Sequence, residues 1–502
     1  MINYISKKVG GDSKEQFQVE FTLKNKIPMT RIIIILVFAF IGNSSLAQSS
    51  KCDCSIVFED LIEKLERNYI GLAQLKIENQ DSRYEKRKEE FKERIAATDC
   101  GECTKHLQEF LSYFQDGHLF AFELPKYPVS EIDSIRRIIK EDIIETKTIL
   151  RTLEFERDMV EKNGLDGIIG QWTDGKSEFA IIKDEGYYKA YVLKSSLQTV
   201  ESGELKAQFK STSNGFEGTY YAYDYAPRYV EGNLYKEGTL LVFTGANYWG
   251  KIGDTSIGEI NMINKEDVRL PVIQKLDENN TLFSIPSFMA DPQKFNQIII
   301  ENLELFKNTT NLIIDIRGNV GGNAIYFSFL DAYATQPMKS TQGLVLASEA
   351  TKAYYERLAK NSPEVYSPVI KRIDENMGQI IDGPEYPVRE FQPFESKIKN
   401  VAILTDKGCM SAAESFIIHS KRASTKVTTF GKPTNGVIDY TSVNTLKLNS
   451  GDQNIYFGYP TSTLHKDIVK NGFNKTGIIP DVIIQDKVKD KIQFIVDHYK
   501  GK

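Results

Sequence analysis

Leu312-Ile313-Ile314-Asp315-Ile316-Arg317-Gly318-Asn319-Val320-Gly321-Gly322-Asn323 is a continuous apolar run that breaks into a polar loop with three glycines. Such a run reads as a strand covered on both faces, the pattern of a parallel sheet. The glycines allow successive backbone N–H groups to turn toward one point, which is how an anion or oxyanion site is built. The loop lacks the Lys-Ser/Thr ending of a nucleotide-binding loop. A helix is expected after it, over residues 326–333.

Working outward, residues 295–306 read as helical, residues 401–405 as a second apolar strand and residues 412–421 as another helix. Strands alternating with helices imply an α/β core with partly parallel strands. Ser411 falls where strand and turn give way to that last helix, so its hydroxyl lies at a helix N-terminus, where dipole and free amides favour developing negative charge. The same position suits a plain N-cap serine, and the G-x-S-x-G elbow is absent. Between the two strands, residues 341–397 form a long polar insertion of the kind that often serves as a lid.

Toward the N-terminus, residues 54–164 carry helical periodicity (Phe58, Leu61, Ile62, Leu65; Leu107, Phe110, Leu111, Phe114) and read as a helical cap. Within it, residues 130–162 are expected to form one charged helix with Ile132, Ile135, Ile139, Ile143 and Leu150 on one face. His118 follows Asp116-Gly117, so it sits at a turn and not on an apolar helix face. From 167 to 253 short alternating runs (179–182, 187–193, 240–243) separated by Asp-Gly, Glu-Gly and Asn-Gly turns read as an antiparallel β domain. Its aromatics, Trp172, Tyr187, Tyr188, Tyr191, Tyr220, Tyr221, Tyr223 and Tyr225, are expected chiefly to stabilise strands.

Residues 32–41 are apolar, with Lys24, Lys26 and Arg31 before them and Ser45 and Ala47 after. This is the order of a secretory signal peptide, and a run of ten is too short to span a membrane. Cleavage before Gln48 removes six basic and three acidic residues from 63 and 68, leaving 57 against 65, a net charge of −8. No basic field for nucleic acid is present. Four of the five cysteines form two tight pairs, Cys52/Cys54 and Cys100/Cys103, each before a helical stretch. In an oxidising compartment disulfides are favoured over a zinc cluster, and three connectivities are open. Cys409 reads as a small unpaired filler.

The strand leading to D-x-R-G-N-x-G-G, the G-x-x-S-A-A-E block over residues 408–414 and the distal Gly477-Ile478-Ile479-Pro480-Asp481 occur in the order found in the carboxyl-terminal processing and tricorn-core serine peptidases. The chain resembles that family over residues 282–485. The Asp-Gly-His after Asn68-Tyr69-Ile70-Gly71 resembles its histidine-base, tricorn-like and retinoid-binding-protein-like branch. The resemblance implies Ser411 as nucleophile, His118 as base, and the amides of Gly321, Gly322 and Ala412 as oxyanion hole. The processing branch instead uses a lysine that this chain lacks, because Val437 follows Gly436; Lys432 is the alternative base. An acidic residue expected three positions before Gly477 is replaced by Asn474, so Asn474, Asp116 or Asp439 would orient the histidine.

The implied fold is a crotonase-like α/β catalytic core over 276–502, with an N-terminal helical cap over 48–165 and a separate antiparallel β domain over 166–275, after a signal peptide and extension over 1–47. The implied function is an exported, periplasmic or extracellular serine peptidase that cuts peptides or unfolded protein segments. No cofactor, metal, nucleic-acid partner or stable membrane span is expected. An inactive relative that binds peptides or apolar ligands is the alternative.

Overall fold

In the computed structural model, residues 52–78, 81–163, 167–213, 215–245, 247–252, 262–392, 395–474 and 476–500 are described. The signal peptide read over 1–47 lies outside them. In chain order the elements begin with α1 (Cys54–Asn68), α2 (Ile70–Ile77), α3 (Ser82–Ile95), α4 (Cys100–Leu111), β1 (Phe120–Glu123), α5 (Val129–Glu141) and α6 (Thr146–Asn163). An antiparallel run follows: β2 (Gly170–Thr173), β3 (Ser177–Asp184), β4 (Tyr187–Ser195), β5 (Leu205–Thr212), β6 (Gly215–Tyr221), β7 (Pro227–Tyr235), β8 (Leu240–Phe243) and β9 (Asn247–Ile252). Then come β10 (Val272–Lys275), β11 (Asn280–Ser284), α7 (Pro292–Glu301), α8 (Leu303–Asn308), β12 (Asn311–Asp315), β13 (Leu344–Leu346), α9 (Glu349–Ala359), α10 (Pro363–Glu375) and β14 (Ile380–Asp382). The chain ends with β15 (Asn400–Thr405), α11 (Ala412–Ala423), β16 (Val427–Gly431), β17 (Tyr440–Lys447), β18 (Ile455–Thr463), α12 (Ile468–Asn471), β19 (Val482–Ile483) and α13 (Lys491–Lys500).

The apolar run around Ile314 is buried because it forms the middle of a six-stranded sheet ordered β10-β11-β12-β15-β16-β19. All neighbours from β11 to β19 run parallel, with Ile314 opposite Phe283 and Ile403. Alternate residues feed opposite faces. Leu312, Ile314 and Ile403 join Phe288 and Phe416 of α11 on one side, while Ile313, Ala402 and Leu404 meet Phe430 and Ile495 of α13 on the other.

A second, antiparallel sheet has the order β1-β18-β13-β14, with β17 also paired to β18. The N-terminal helices cover it: Phe58, Leu61 and Leu65 of α1 and Phe110 of α4 share one core with Phe457 and Tyr459 of β18. The helical segment is therefore joined to the C-terminal half by a shared core and by a strand. The 341–397 insertion also contributes to this sheet, through β13 and β14 around the helix pair α9 and α10.

Strands β2 to β9 close into an eight-stranded barrel. Its interior is filled by Trp172, Phe179, Phe209, Phe243 and Trp249, with the Phe179 and Trp249 rings stacked at 4.6 Å. These aromatics build the barrel's core.

Two helices expected from the sequence differ in the structure. The 130–162 stretch breaks into α5 and α6 because Ile144 N–H leaves the helical ladder to donate to the Gly203 carbonyl at 3.3 Å. Residues 326–333 form two short 3₁₀ turns instead of an α-helix. Just before them, Phe288 N–H donates to Gly321 O at 3.1 Å and Asn323 N–H to Phe288 O at 3.0 Å, which holds the glycine loop extended.

Cys54 and Cys103 form a disulfide with a Cα–Cα distance of 5.6 Å, joining the starts of α1 and α4. Cys52 is also disulfide-bonded, and the side chain of Cys100 lies outside the described residues. Cys409 is free and buried, its Sγ donating to the Ile316 carbonyl at 3.1 Å. Replacing Cys54 and Cys103 together by serine should lower the unfolding free energy by about 2–5 kcal/mol, since the bridge closes a long loop. Urea unfolding of the oxidised protein checks this, and a loss under about 1 kcal/mol contradicts it.

Candidate active site

The strand β15 ends at Thr405, and the chain turns through Asp406–Met410 into α11. At the joint Ser411 has φ 54° and ψ −115°. A positive φ is strained for a residue with a Cβ. Here Ser411 begins the helix, its carbonyl accepting the Ser415 N–H at 2.9 Å, while its half-buried hydroxyl faces His118. Glu414, fully buried one turn later, secures the joint: its Oε2 accepts from the Ser411 N–H at 3.0 Å and the Val437 N–H at 2.8 Å. Its Oε1 accepts from the Gly436 N–H at 2.7 Å and from the Thr434 hydroxyl. Burial raises the Glu414 carboxyl above its ordinary range, opposed by those four donors.

His118 reaches this serine from the other end of the chain. Its Nε2 stands 2.9 Å from Ser411 Oγ, and its Nδ1 stands 2.6 Å from the Tyr440 carbonyl. A carbonyl only accepts, so the Nδ1 nitrogen carries the proton and Nε2 presents a lone pair to the hydroxyl. Two pairings bring the histidine here. Immediately after it β1 pairs with β18, Phe120 opposite Gly458, and β17, which begins at Tyr440, pairs with β18 on its other side. Gly117 also needs its missing side chain, because a Cβ there would lie 2.7 Å from Val437 Cγ2.

The glycine loop lies against the serine from the opposite side. A Cβ on Gly321 would be 3.0 Å from both the Ala412 nitrogen and Ser411 Cβ. The Gly321 N–H, however, donates to Asn319 Oδ1 at 2.9 Å. Expected in the oxyanion hole, it is engaged elsewhere. The Gly322 and Ala412 amides have no acceptor among the described residues.

Residues 281–484 match the family model described as Peptidase family S41. Over these residues the chain is similar to peptidase family S41. No curated protein matches the chain. Among solved structures, mature CPAF is 12% identical, with 89% of this chain and 98% of that chain covered at a TM-score of 0.46. The photosystem II D1 C-terminal processing protease is 10% identical, with 87% and 94% covered at a TM-score of 0.36. A lipoprotein from Streptococcus agalactiae is 12% identical, with 89% and 96% covered at a TM-score of 0.39. The match supports a serine-type peptidase, a class whose substrate is peptide or protein.

Three residues expected to orient the histidine do so only indirectly. Asn474 and Asp439 bond to one another's backbone: Asn474 N–H donates to Asp439 Oδ2 at 2.9 Å, and Asp439 N–H donates to Asn474 Oδ1 at 3.2 Å. Asp116 accepts the backbone N–H of His118 at 2.9 Å and the Tyr69 hydroxyl at 3.0 Å, and so fixes the turn and not the imidazole. Lys432, the alternative base, is partly exposed and paired with Asp486. The Tyr440 carbonyl that takes the orienting role has no side-chain signature. Glu414 was visible in the S-A-A-E block, but its grip on residues 434–437 was not. Among the described residues no cluster of His, Cys, Asp or Glu could hold a metal ion.

Burial pushes the Asp116 carboxyl up to about 7, against the opposing bonds from the His118 amide and Tyr69, with the Asp439 charge adding to the rise. A raised folded pKa favours the neutral acid. The stability that Asp116 contributes is therefore full below its ordinary value of 3.8 and is lost as the pH rises to about 7. Asp116→Asn should flatten this decline, so the variant gains on the wild type between pH 4 and 7. Chemical unfolding at several pH values checks it; parallel curves for the two proteins would contradict it.

Proposed function

We propose that the chain is an exported serine peptidase that hydrolyses peptides or unfolded protein segments through a Ser411 acyl-enzyme, with His118 as general base. The observation that carries the reading is the 2.9 Å contact between Ser411 Oγ and His118 Nε2. His118 takes the hydroxyl proton as Oγ attacks the scissile carbonyl, and the Gly322 and Ala412 amides receive the oxyanion. The imidazolium then gives its proton to the leaving amine, and water, activated by the same histidine, hydrolyses the ester.

The Tyr440 carbonyl supplies the correct tautomer and ring orientation. It supplies no negative charge, so the imidazolium is stabilised less than beside a carboxylate. Burial works in the same direction and holds the His118 pKa below its ordinary 6.5, opposed by the Tyr440 bond. The base is thus neutral and competent at pH 7.

Export is supported by the order of basic flank, apolar run and small residues in 1–47 and by the Cys54–Cys103 disulfide, a bond that persists in oxidising compartments.

Purified protein should react with a fluorophosphonate probe, and both labelling and proteolysis should disappear in Ser411→Ala. His118→Ala should lose about 10³-fold or more in kcat/KM, within the range of triad deletions, while Lys432→Ala retains activity. Absence of labelling at every pH would sink the peptidase mechanism, and a dead lysine variant beside an active histidine variant would reverse the base. Because the base must be neutral, activity should fall as the pH drops through the His118 pKa. The acid limb of kcat/KM should therefore lie below pH 6.5, the ordinary histidine value; a limb above it contradicts the assignment.

A further inference from the structure

The loops that carry Ser411 and the glycine amides rest on a turn contributed by the barrel. Between β7 and β8, Lys236 and Glu237 take positive φ values of 52° and 53°, unusual for side-chain-bearing residues. Lys236 is only 1% exposed. Its Nζ donates to Ser284 Oγ at 2.8 Å and to the Asp315 carbonyl at 3.1 Å, and pairs with the Asp315 carboxylate at 3.2 Å. Glu237 accepts from Arg317 Nη1, and from Lys491 Nζ at 2.8 Å. Arg317 in turn forks onto Asp315 at 2.9 and 3.0 Å. Asp315 and Arg317 open the D-x-R-G-N loop. A buried lysine tolerates such a site only while its partners stay in place, so the turn is strongly held to the end of β12.

From this anchored turn the Tyr235 ring lies between the two active-site loops. A Cβ on Gly318 would lie 2.8 Å from Tyr235 Cγ, and a Cβ on Gly408 would lie 2.4 Å from Tyr235 Cε1. Gly318 precedes the amide-bearing glycines, and Gly408 precedes Ser411. The loops are also tied to each other: Asp406 Oδ1 accepts the Gly318 N–H at 3.0 Å and the Gly408 N–H at 2.8 Å, and Met410 N–H donates to Asn319 O at 3.1 Å.

We propose that the barrel's 235–238 turn is a positioning element of the active site, in which Tyr235 fixes the spacing of the Gly318 and Gly408 loops and so of the Gly322 amide and Ser411 Oγ. Tyr235 acts through the loops and touches no reacting atom. The barrel is on this view part of the catalytic unit and not an appended module. The catalytic half of the proposal rests on Ser411 being the nucleophile; the bracing of the loops does not.

The test compares full-length wild type with Tyr235→Phe, Tyr235→Leu and Tyr235→Ala by hydrogen exchange and by kinetics on a denatured protein substrate. Tyr235→Phe keeps the ring and should match wild type in both. The leucine and alanine variants should exchange faster at residues 316–322 and 406–412 while β3, β4 and α11 keep their protection. Their kcat should fall about 10²-fold, as misplacement near an ångström does, with KM changed less than about threefold. Unchanged exchange in both loops, loosening confined to the barrel strands, or a lowered melting temperature with kcat intact would each overturn the proposal. If Tyr235→Ala does not fold, Tyr235→Leu gives the same comparison. If the wild type neither labels nor cleaves, the peptidase reading falls and the exchange data alone decide the brace.

Discussion

A hydrogen bond between residues 293 positions apart, His118 Nε2 and Ser411 Oγ, sets the geometry that the rest of the molecule serves. The tolerance is a few tenths of an ångström, while the two residues belong to different sheets. Three separate constraints meet that demand. The β1–β18–β17 pairing carries the histidine and its carbonyl partner on one rigid sheet. Gly117 lets the Asp-Gly-His turn close on Val437. Glu414 then binds the same 434–437 loop to the Ser411 amide, so the loop touching the His118 turn is the loop holding Ser411.

The way the histidine is held has an electrostatic consequence. With the carboxylates turned onto backbone amides, the imidazole faces a neutral carbonyl in a buried setting; burial disfavours its charged form, and the Tyr440 bond only partly opposes this. An imidazole held this way is well oriented but gains no countercharge.

Much of this was legible in the sequence. The runs at 312–316 and 401–405 are fully apolar because both faces of their sheet are covered, and the Ser-Ala-Ala-Glu block marks its own helix start. Motif order pointed to Ser411 and His118, which the structure brings to 2.9 Å of each other. The orienting group was missed because a main-chain carbonyl belongs to no residue type; the motif offset pointed to Asn474, which the structure turns onto Asp439. Which glycine amide is free was equally invisible, since it depends on Asn319 reaching back to Gly321. The isoleucine period of 130–162 ran across a break that only a contact from Gly203 creates, and the core that the helical cap shares with β18 joins residues far apart in the sequence.

The barrel's closure matters for how substrate is met. With β2 paired to β9, the barrel closes and, among the described residues, has no open edge strand. It cannot take up a passing polypeptide as an extra strand. An extended substrate that seeks main-chain partners must find them at the borders of the two open sheets, and the barrel is protected from templating association with its own unfolded copies.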